Sequence, residues 1–292
     1  MDETDACIGL CFTDHQLFYA VNNPGTEKSL SHIGSVDFNF NIRSAITGNF
    51  VEAIAGIQTV LSDLKKKHSC DIARILIPAL FECWTTLPRI AYEQPDEREP
   101  HLHILMNGIS RKNLQTTWFS LANQDYKFLL VRRDNIMKRI SGMISDFPSI
   151  EYLSEFEIGL EWQLLTEING SFMTVHCHQN YIAVASYLFG KLRGSTYFTY
   201  DSLSDIPFHW KYHSGFIKWM DGIHDHVYLF GSLAQELLEI KSSIWYEADD
   251  VQLMNTLSKM NVDAEEKTYG FDLEKAFPAI MLSLNLDSKN IA

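Results

Sequence analysis

The sequence predicts an α/β protein in which one strand–turn–strand plan occurs twice. Three observations carry this: two strand–turn–strand openings, one near Ala6 and one after Asn169 and Gly170, helical stretches behind each, and a late strand–glycine–helix unit before an apolar closing segment. The chain has 292 residues, enough for two domains of roughly 100–200 residues or one large one, with ample chain for a core.

The first meander is a strand at 6–12, a tight turn at 13–16, a returning strand at 17–22 and a third strand-like run near 35–40. A helix is expected to start at Asn49, whose side chain can accept from first-turn amides while Glu52 reaches back as in a capping box. Ile54, Ile57, Val60, Leu61 and Leu64 form its apolar stripe. Short buried strands are expected at 72–78 and 83–88, and the charged, proline-containing stretch 93–100 reads as a surface excursion. Strand rhythm resumes at 116–120 and 127–132, and Asp134 is the expected N-cap of a helix carrying Ile136, Ile140, Met143 and Ile144. A further helix is expected at 155–166.

The second meander has strands at 171–176, 181–187 and 191–198. A helical stretch at 214–220, a strand at 226–230, Gly231, a helix at 233–240, a strand near 244–246 and a closing helix with Pro278 as its first residue complete the chain.

Composition excludes several function classes. The net charge is −13 and the longest Lys/Arg block is Lys65 to Lys67, which argues against duplex nucleic acid or anionic lipid as a general partner. The aromatic cluster Phe208, Trp210, Tyr212, Phe216 and Trp219, interleaved with Lys211 and Lys218, reads as core or a protein-contact patch rather than a platform for single-stranded nucleic acid. Five cysteines, an odd number without a C-x-x-C pair, read as buried thiols in a reducing compartment. The acidic start at 1–5 is unlike a secretory signal, and no apolar run approaches the ~18–20 residues of a membrane helix, so the chain reads as cytoplasmic.

The order of elements resembles the actin-like ATPase fold, a duplicated, two-domain ribonuclease H-like architecture, which implies domains 1–150, with a small inserted subdomain at about 82–130 and the closing helix 278–286 packing back on it, and 151–277. In the segments 75–79, 84–88, 124–134 and 150–153, it resembles PilM-type proteins of type IV pilus assembly and the cytoplasmic domain of type II secretion GspL proteins, over about residues 6 to 286. Active members carry Asp-x-Gly in the first turn with a Lys soon after, because a small turn must approach the phosphates while the carboxylate handles Mg²⁺. Here Cys11, Phe12 and Thr13 align with that motif and Phe18 stands near the Lys position. His176, Cys177 and His178 stand at the second phosphate turn, and Gly231 with Ser232 keeps one of the two glycines of the adenosine loop. Bulky side chains at both turns oppose the backbone approach that phosphate cradling requires.

The resemblance thus implies a cytoplasmic scaffold peripheral to the inner membrane, binding proteins rather than catalysing and needing no cofactor. Its implied partners are the cytoplasmic tail peptide of an inner-membrane pilus or secretion protein and the motor ATPase, with the membrane reached only through partners or an anchor outside this chain. The inserted region around 84–90 and 118–130, with Trp84, Leu87, Trp118 and Phe128, is where an added strand would pair.

Two alternatives stay open. An active ATPase or phosphotransferase would bind Mg-ATP with Asp14 on the metal and Gly231 beside the adenosine. A metal-dependent hydrolase would use the H-x-H pairs His101/His103, His176/His178 and His224/His226, whose imidazoles share a face if they lie on strands. With eleven histidines such pairs arise by chance, and no H-E-x-x-H or H-x-H-x-D-H pattern accompanies them, so no metal is expected. Cys177 lies between two histidines that face the other side of a strand and is not expected to be a nucleophile. Gly-x-Ser-x-Gly and P-loop motifs are absent.

Overall fold

The computed structural model describes residues 6–25, 28–105, 113–222, 224–245, 250–254, 261–262 and 271–286. The acidic start at 1–5 and Tyr246 lie outside them. In chain order the elements are β1 (Cys7–Phe12), β2 (Gln16–Asn22), β3 (Ser29–Asp37), α1 (Ile42–Gly48), α2 (Val51–His68) and β4 (Ile72–Ile77). β5 (Glu82–Pro88), α3 (Arg89–Glu93), α4 (Pro95–Leu105), β6 (Leu114–Ser120) and β7 (Tyr126–Arg133) follow, then α5 (Asp134–Met143), β8 (Ser149–Ser154) and α6 (Ile158–Thr166). The second half holds β9 (Ser171–Cys177), β10 (Tyr181–Leu188), β11 (Lys191–Thr199), α7 (Ile206–Phe216), β12 (His226–Gly231), α8 (Ala234–Glu239), β13 (Val251–Leu253), β14 (Asn261–Val262) and α9 (Leu273–Ser283).

Two sheets repeat one plan. The first runs β14-β3-β2-β1-β4-β8 and the second β11-β10-β9-β12-β13. In each, a meander of three antiparallel strands is extended on its first strand by two parallel ones, β4 and β8 beside β1, and β12 and β13 beside β9. The central strands are buried on both faces, which is why 7–12 and 72–77 read as nearly unbroken apolar runs. A third sheet, β5-β7-β6, lies in the insertion.

Several boundaries differ from expectation for identifiable reasons. Asn49 does not cap α2; it closes α1 in the left-handed conformation (φ 57°), and α2 starts after Phe50 without a side-chain cap. The short α1 exists because Ile42, Ala45 and Ile46 bury one face, and it displaces the third strand to 29–37. The stretch 93–100 is largely helical, with Pro95 at the first position of α4, where a missing amide costs nothing. Asp134 is the first residue of α5 rather than its cap, with its carboxylate 2.6 Å from Lys138 Nζ. The helix expected at 214–220 lies at 206–216; Trp210 enters the core, while Phe208, Tyr212 and Phe216 stay exposed. Ile244 belongs to a turn, and the strand of that region is β13. Pro278 sits inside α9 because Asp272 caps the helix upstream, its carboxylate accepting from Lys275 N at 3.2 Å. The five cysteines are free thiols, four of them buried and Cys83 exposed.

α9 lies between the two main sheets and has no polar face, since Ala276 through Ser283 are all buried. Its backbone rests on β1 at Gly9, where an added Cβ would come within 2.0 Å of Ala279 O and 2.6 Å of Ser283 N. From the same helix Phe277 reaches Phe230 of β12 and Trp162 of α6, with ring centroids 5.2 and 5.6 Å apart. Arg74 of β4 fixes the assembly electrostatically. Its Nη2 meets Glu161 of α6 at 2.7 Å, its Nε meets Glu151 of β8 at 3.2 Å, and its Nη1 donates to Leu282 O of α9 at 3.0 Å. The insertion is tied in by a similar cluster: Arg132 Nε lies 2.7 Å from Glu82 Oε1, and Ser154 Oγ bridges both residues at 2.8 and 2.9 Å.

Arg74→Met is expected to destabilise the protein by about 3–5 kcal/mol, because it leaves the Glu161 carboxylate buried without its guanidinium. Urea melts of Arg74→Met, Glu161→Gln and the double variant test this. The double variant should lose clearly less than the sum of the two single changes.

Candidate functional site

The two hairpin turns that follow β1 and β9 face a common cleft of about 210 Å³, lined among others by Thr13, Asp14, Arg43, His178, Ser232 and Lys275. Each turn is closed on its own returning strand. The Thr13 amide and hydroxyl donate to Gln16 O at 2.8 and 3.2 Å, and His178 N donates to Tyr181 O at 3.0 Å.

The position of Arg43 follows from local structure. Ile42 N donates to Asp14 O at 2.7 Å, which seats the start of α1 against the first turn, and the Asn41 side chain caps the helix by accepting from Ser44 N at 2.8 Å. Arg43 therefore projects into the cleft. Its Nε and Nη2 both lie 2.5 Å from Asp14 Oδ1, Nη2 donates to Asn180 Oδ1 at 3.2 Å, and the guanidinium sits 5.5 Å from the Tyr181 ring centroid. One side chain thus clasps both turns.

These residues do not fit an Mg-ATP cradle. The carboxylate at the first turn is ion-paired to Arg43, and Thr13 and His178 stand where glycines would let backbone approach phosphate. Cys11 and Cys177 are enclosed in their strands, and burial pushes both thiols up, so neither offers a thiolate. At Gly231 the backbone packs closely on the second turn. Gly231 has φ +100°, and an added Cβ would lie 2.5 Å from Cys177 O and 2.7 Å from His176 Cδ2. Ser232 Oγ donates to the same Cys177 carbonyl at 3.2 Å.

Behind the cleft the fold assembles a second constellation. Glu155, in a 3₁₀ turn directly after β8, meets the two histidines of the second turn: His178 Nε2 lies 3.0 Å from Glu155 Oε1, and His176 Nδ1 lies 3.4 Å from Glu155 Oε2. Tyr181 Oη donates to Glu155 Oε1 at 2.6 Å. His176 stacks on Phe230 and His178 on Tyr181, with centroids 4.3 and 4.0 Å apart. Burial, with His176 adjacent, pushes His178 down to about 4. Burial opposes ionisation of Glu155, but the two imidazoles outweigh it and hold the carboxyl below the usual carboxylate range.

The other H-x-H pairs are dispersed. His101 and His103 lie on α4, where residues two apart do not share a face. His224 bonds Ser186 Oγ at 3.0 Å, whereas His226 pairs with Asp250. Arg43, Glu155 and Tyr181 are the residues that sequence reasoning missed. Arg43 was legible through the Asn41 cap and the Ile42, Ala45 and Ile46 spacing, but no local pattern connects Glu155 to histidines more than twenty residues away.

In the insertion, Leu87 and Phe128 are buried, so their side chains do not face a partner. Trp84 is half-buried, edge-on to Phe156 and Tyr197, and its Nε1 donates to Glu82 Oε2 at 2.7 Å. Trp118 lies on the edge strand β6 against Tyr92, with centroids 4.7 Å apart.

No protein-family model matches the chain, and no curated protein matches its sequence. Solved structures match its fold. The PilM–PilN type IV pilus biogenesis complex superposes with a TM-score of 0.71 at 10% identity, covering 95% of this chain and 97% of that one. A Bacteroides thetaiotaomicron protein with an actin-like ATPase fold and unknown function gives 0.54 at 15% identity over 89% and 95%. The cytoplasmic domain of EpsL, an inner-membrane component of the type II secretion system of Vibrio cholerae, gives 0.50 at 8% over 93% of each chain. With the duplicated sheet order and the inserted sheet, these matches establish the actin-like fold for this chain.

Gly231→Ala is expected to cost about 1–3 kcal/mol through its positive φ and the approach to β9. Ser232→Ala, which removes one hydroxyl bond, should cost about 1 kcal/mol or less. Thermal melts of the two variants distinguish a packing glycine from one kept for a ligand.

Proposed function

We propose that the chain is a scaffold of a bacterial type IV pilus or type II secretion assembly platform, cytoplasmic and peripheral to the inner membrane, that binds partner proteins rather than catalysing. The observation that carries this reading is Arg43, ion-paired to Asp14 and bonded to Asn180 in the space where an active actin-like ATPase would hold nucleotide phosphates. A guanidinium already paired across both turns is not free to receive phosphate. The likeness in fold to a PilM–PilN complex and to the cytoplasmic domain of EpsL supports a role under the inner membrane. Among the described residues no helix is long and apolar enough to cross a membrane.

In this reading the chain is organised as domains 1–150 and 151–277, with the insertion at about 82–130 and the helix 278–286 returning to the first domain. The partner is the cytoplasmic tail of an inner-membrane pilus or secretion protein, adding as a strand to the edge of the inserted sheet at β6, where Trp118 offers an aromatic anchor. A motor ATPase engages another face, and no cofactor is needed.

Titration calorimetry of the purified chain should give no heat with Mg-ATP up to millimolar nucleotide, and binding to one of a set of synthetic cytoplasmic-tail peptides that Trp118→Ala weakens. Micromolar Mg-ATP binding abolished by Asp14→Ala would instead identify an active nucleotide site and overturn the scaffold reading.

A further inference from the structure

We propose that Glu155, His176 and His178 form a binding site for a zinc-class divalent ion, through the Glu155 carboxylate, His176 Nδ1 and His178 Nε2. One ligand atom from each residue falls within 4.8 Å of the others. With Zn–N and Zn–O distances of about 2.0–2.1 Å, the edge of a tetrahedral site is about 3.3 Å. His178 Nε2 lies 3.0 Å from Glu155 Oε1 and His176 Nδ1 lies 3.4 Å from Glu155 Oε2, so each imidazole stands near that distance from an oxygen of the carboxylate.

The 3.4 Å approach of His176 Nδ1 to Glu155 Oε2 is informative, because a charge-assisted hydrogen bond between them would be about 2.7–2.9 Å. Both atoms are buried and make no hydrogen bond. At 3.4 Å the two face each other at longer than a strong hydrogen bond and neither has another partner, an arrangement an ion held by both would tighten. An ion bound by both satisfies them together, and the pair of imidazoles with one carboxylate selects zinc or cobalt over magnesium or calcium.

The surroundings hold the three ligands as a metal site requires. Tyr181 Oη donates to Glu155 Oε1 and fixes the carboxylate, while stacking on Phe230 and Tyr181 fixes the two rings. Tyr200 Oη bonds His178 O and fixes the backbone of that turn. His178 also lines the cleft, which gives the ion its path from solvent. The added positive charge is tolerable beside Arg43 because Asp14 already neutralises that guanidinium.

The test uses the full chain, stripped with a chelator and dialysed against micromolar ZnCl₂, with metal content measured by mass spectrometry. About one Zn²⁺ per chain should be retained, with a raised melting temperature, and Co²⁺ should give the intense visible bands of a four-coordinate site. Glu155→Gln preserves shape and should lose the stoichiometric ion. Tyr181→Phe, which removes only the outer hydrogen bond, should weaken binding roughly 10–100-fold, with circular dichroism confirming that both variants are folded. Failure of the wild-type chain to retain zinc would overturn the assignment. So would zinc that Glu155→Gln retains in full, since that ion would belong to exposed imidazoles such as His101 and His103 on α4.

Discussion

The architecture depends on how closely α9 approaches β1. Residue 9 has no side chain, and the helix backbone occupies the space that a Cβ would need. Once α9 is seated there, its length and all-round apolar surface force the second sheet to cover its other side, where Phe277 meets Phe230 and Trp162. The carbonyl of Leu282 near the end of the helix accepts a buried hydrogen bond from Arg74, which also meets two carboxylates. Packing and polar satisfaction converge on one helix, so the two repeated sheets share a core around it.

The same economy of space governs the cleft. An actin-like ATPase keeps its hairpin turns small so that backbone can reach phosphate. Here both turns carry larger side chains, and a helix ahead of the expected one inserts a guanidinium between them. Arg43 contributes Coulomb attraction to Asp14, a hydrogen bond to Asn180 and contact with the face of Tyr181, all partly shielded from solvent. The histidines of the second turn are drawn inward to Glu155 instead of lining an open phosphate site. Side chains of the two turns are thus engaged in contacts with each other and with the residues behind them.

Much of this was legible in the sequence, and the exceptions follow a physical pattern. Buried strands such as 72–77 and the second meander are visible because both faces are apolar or because a turn dipeptide fixes the start. Helix starts were misplaced where a residue plays a different part than its type suggests. Asn49 is a fine N-cap by chemistry, yet it ends a helix because asparagine also tolerates positive φ. Pro278 is a natural first residue, but Asp272 caps the helix upstream and the apolar surroundings offset the missing hydrogen bond. At the site, alignment by turn position located Thr13, Asp14, His178 and Ser232 around one cleft. It did not locate Glu155, because tertiary folding alone brings the end of β8 to the end of β9.

The dependence on α9 bears on how the chain acquires its structure. The Cys7 thiol contacts the Leu282 carbonyl across a separation of 275 residues, so the core of the earliest strands closes only when a segment near the other end of the sequence arrives. Until then the Gly9 face of β1 and the neighbouring face of β4 present bare apolar strand. Contacts this distant in sequence slow folding and prolong the lifetime of species prone to aggregate. During synthesis the first sheet can pair its strands early, but completing its core waits on translation of almost the whole described chain, a long interval in which a holding chaperone has an exposed surface to bind.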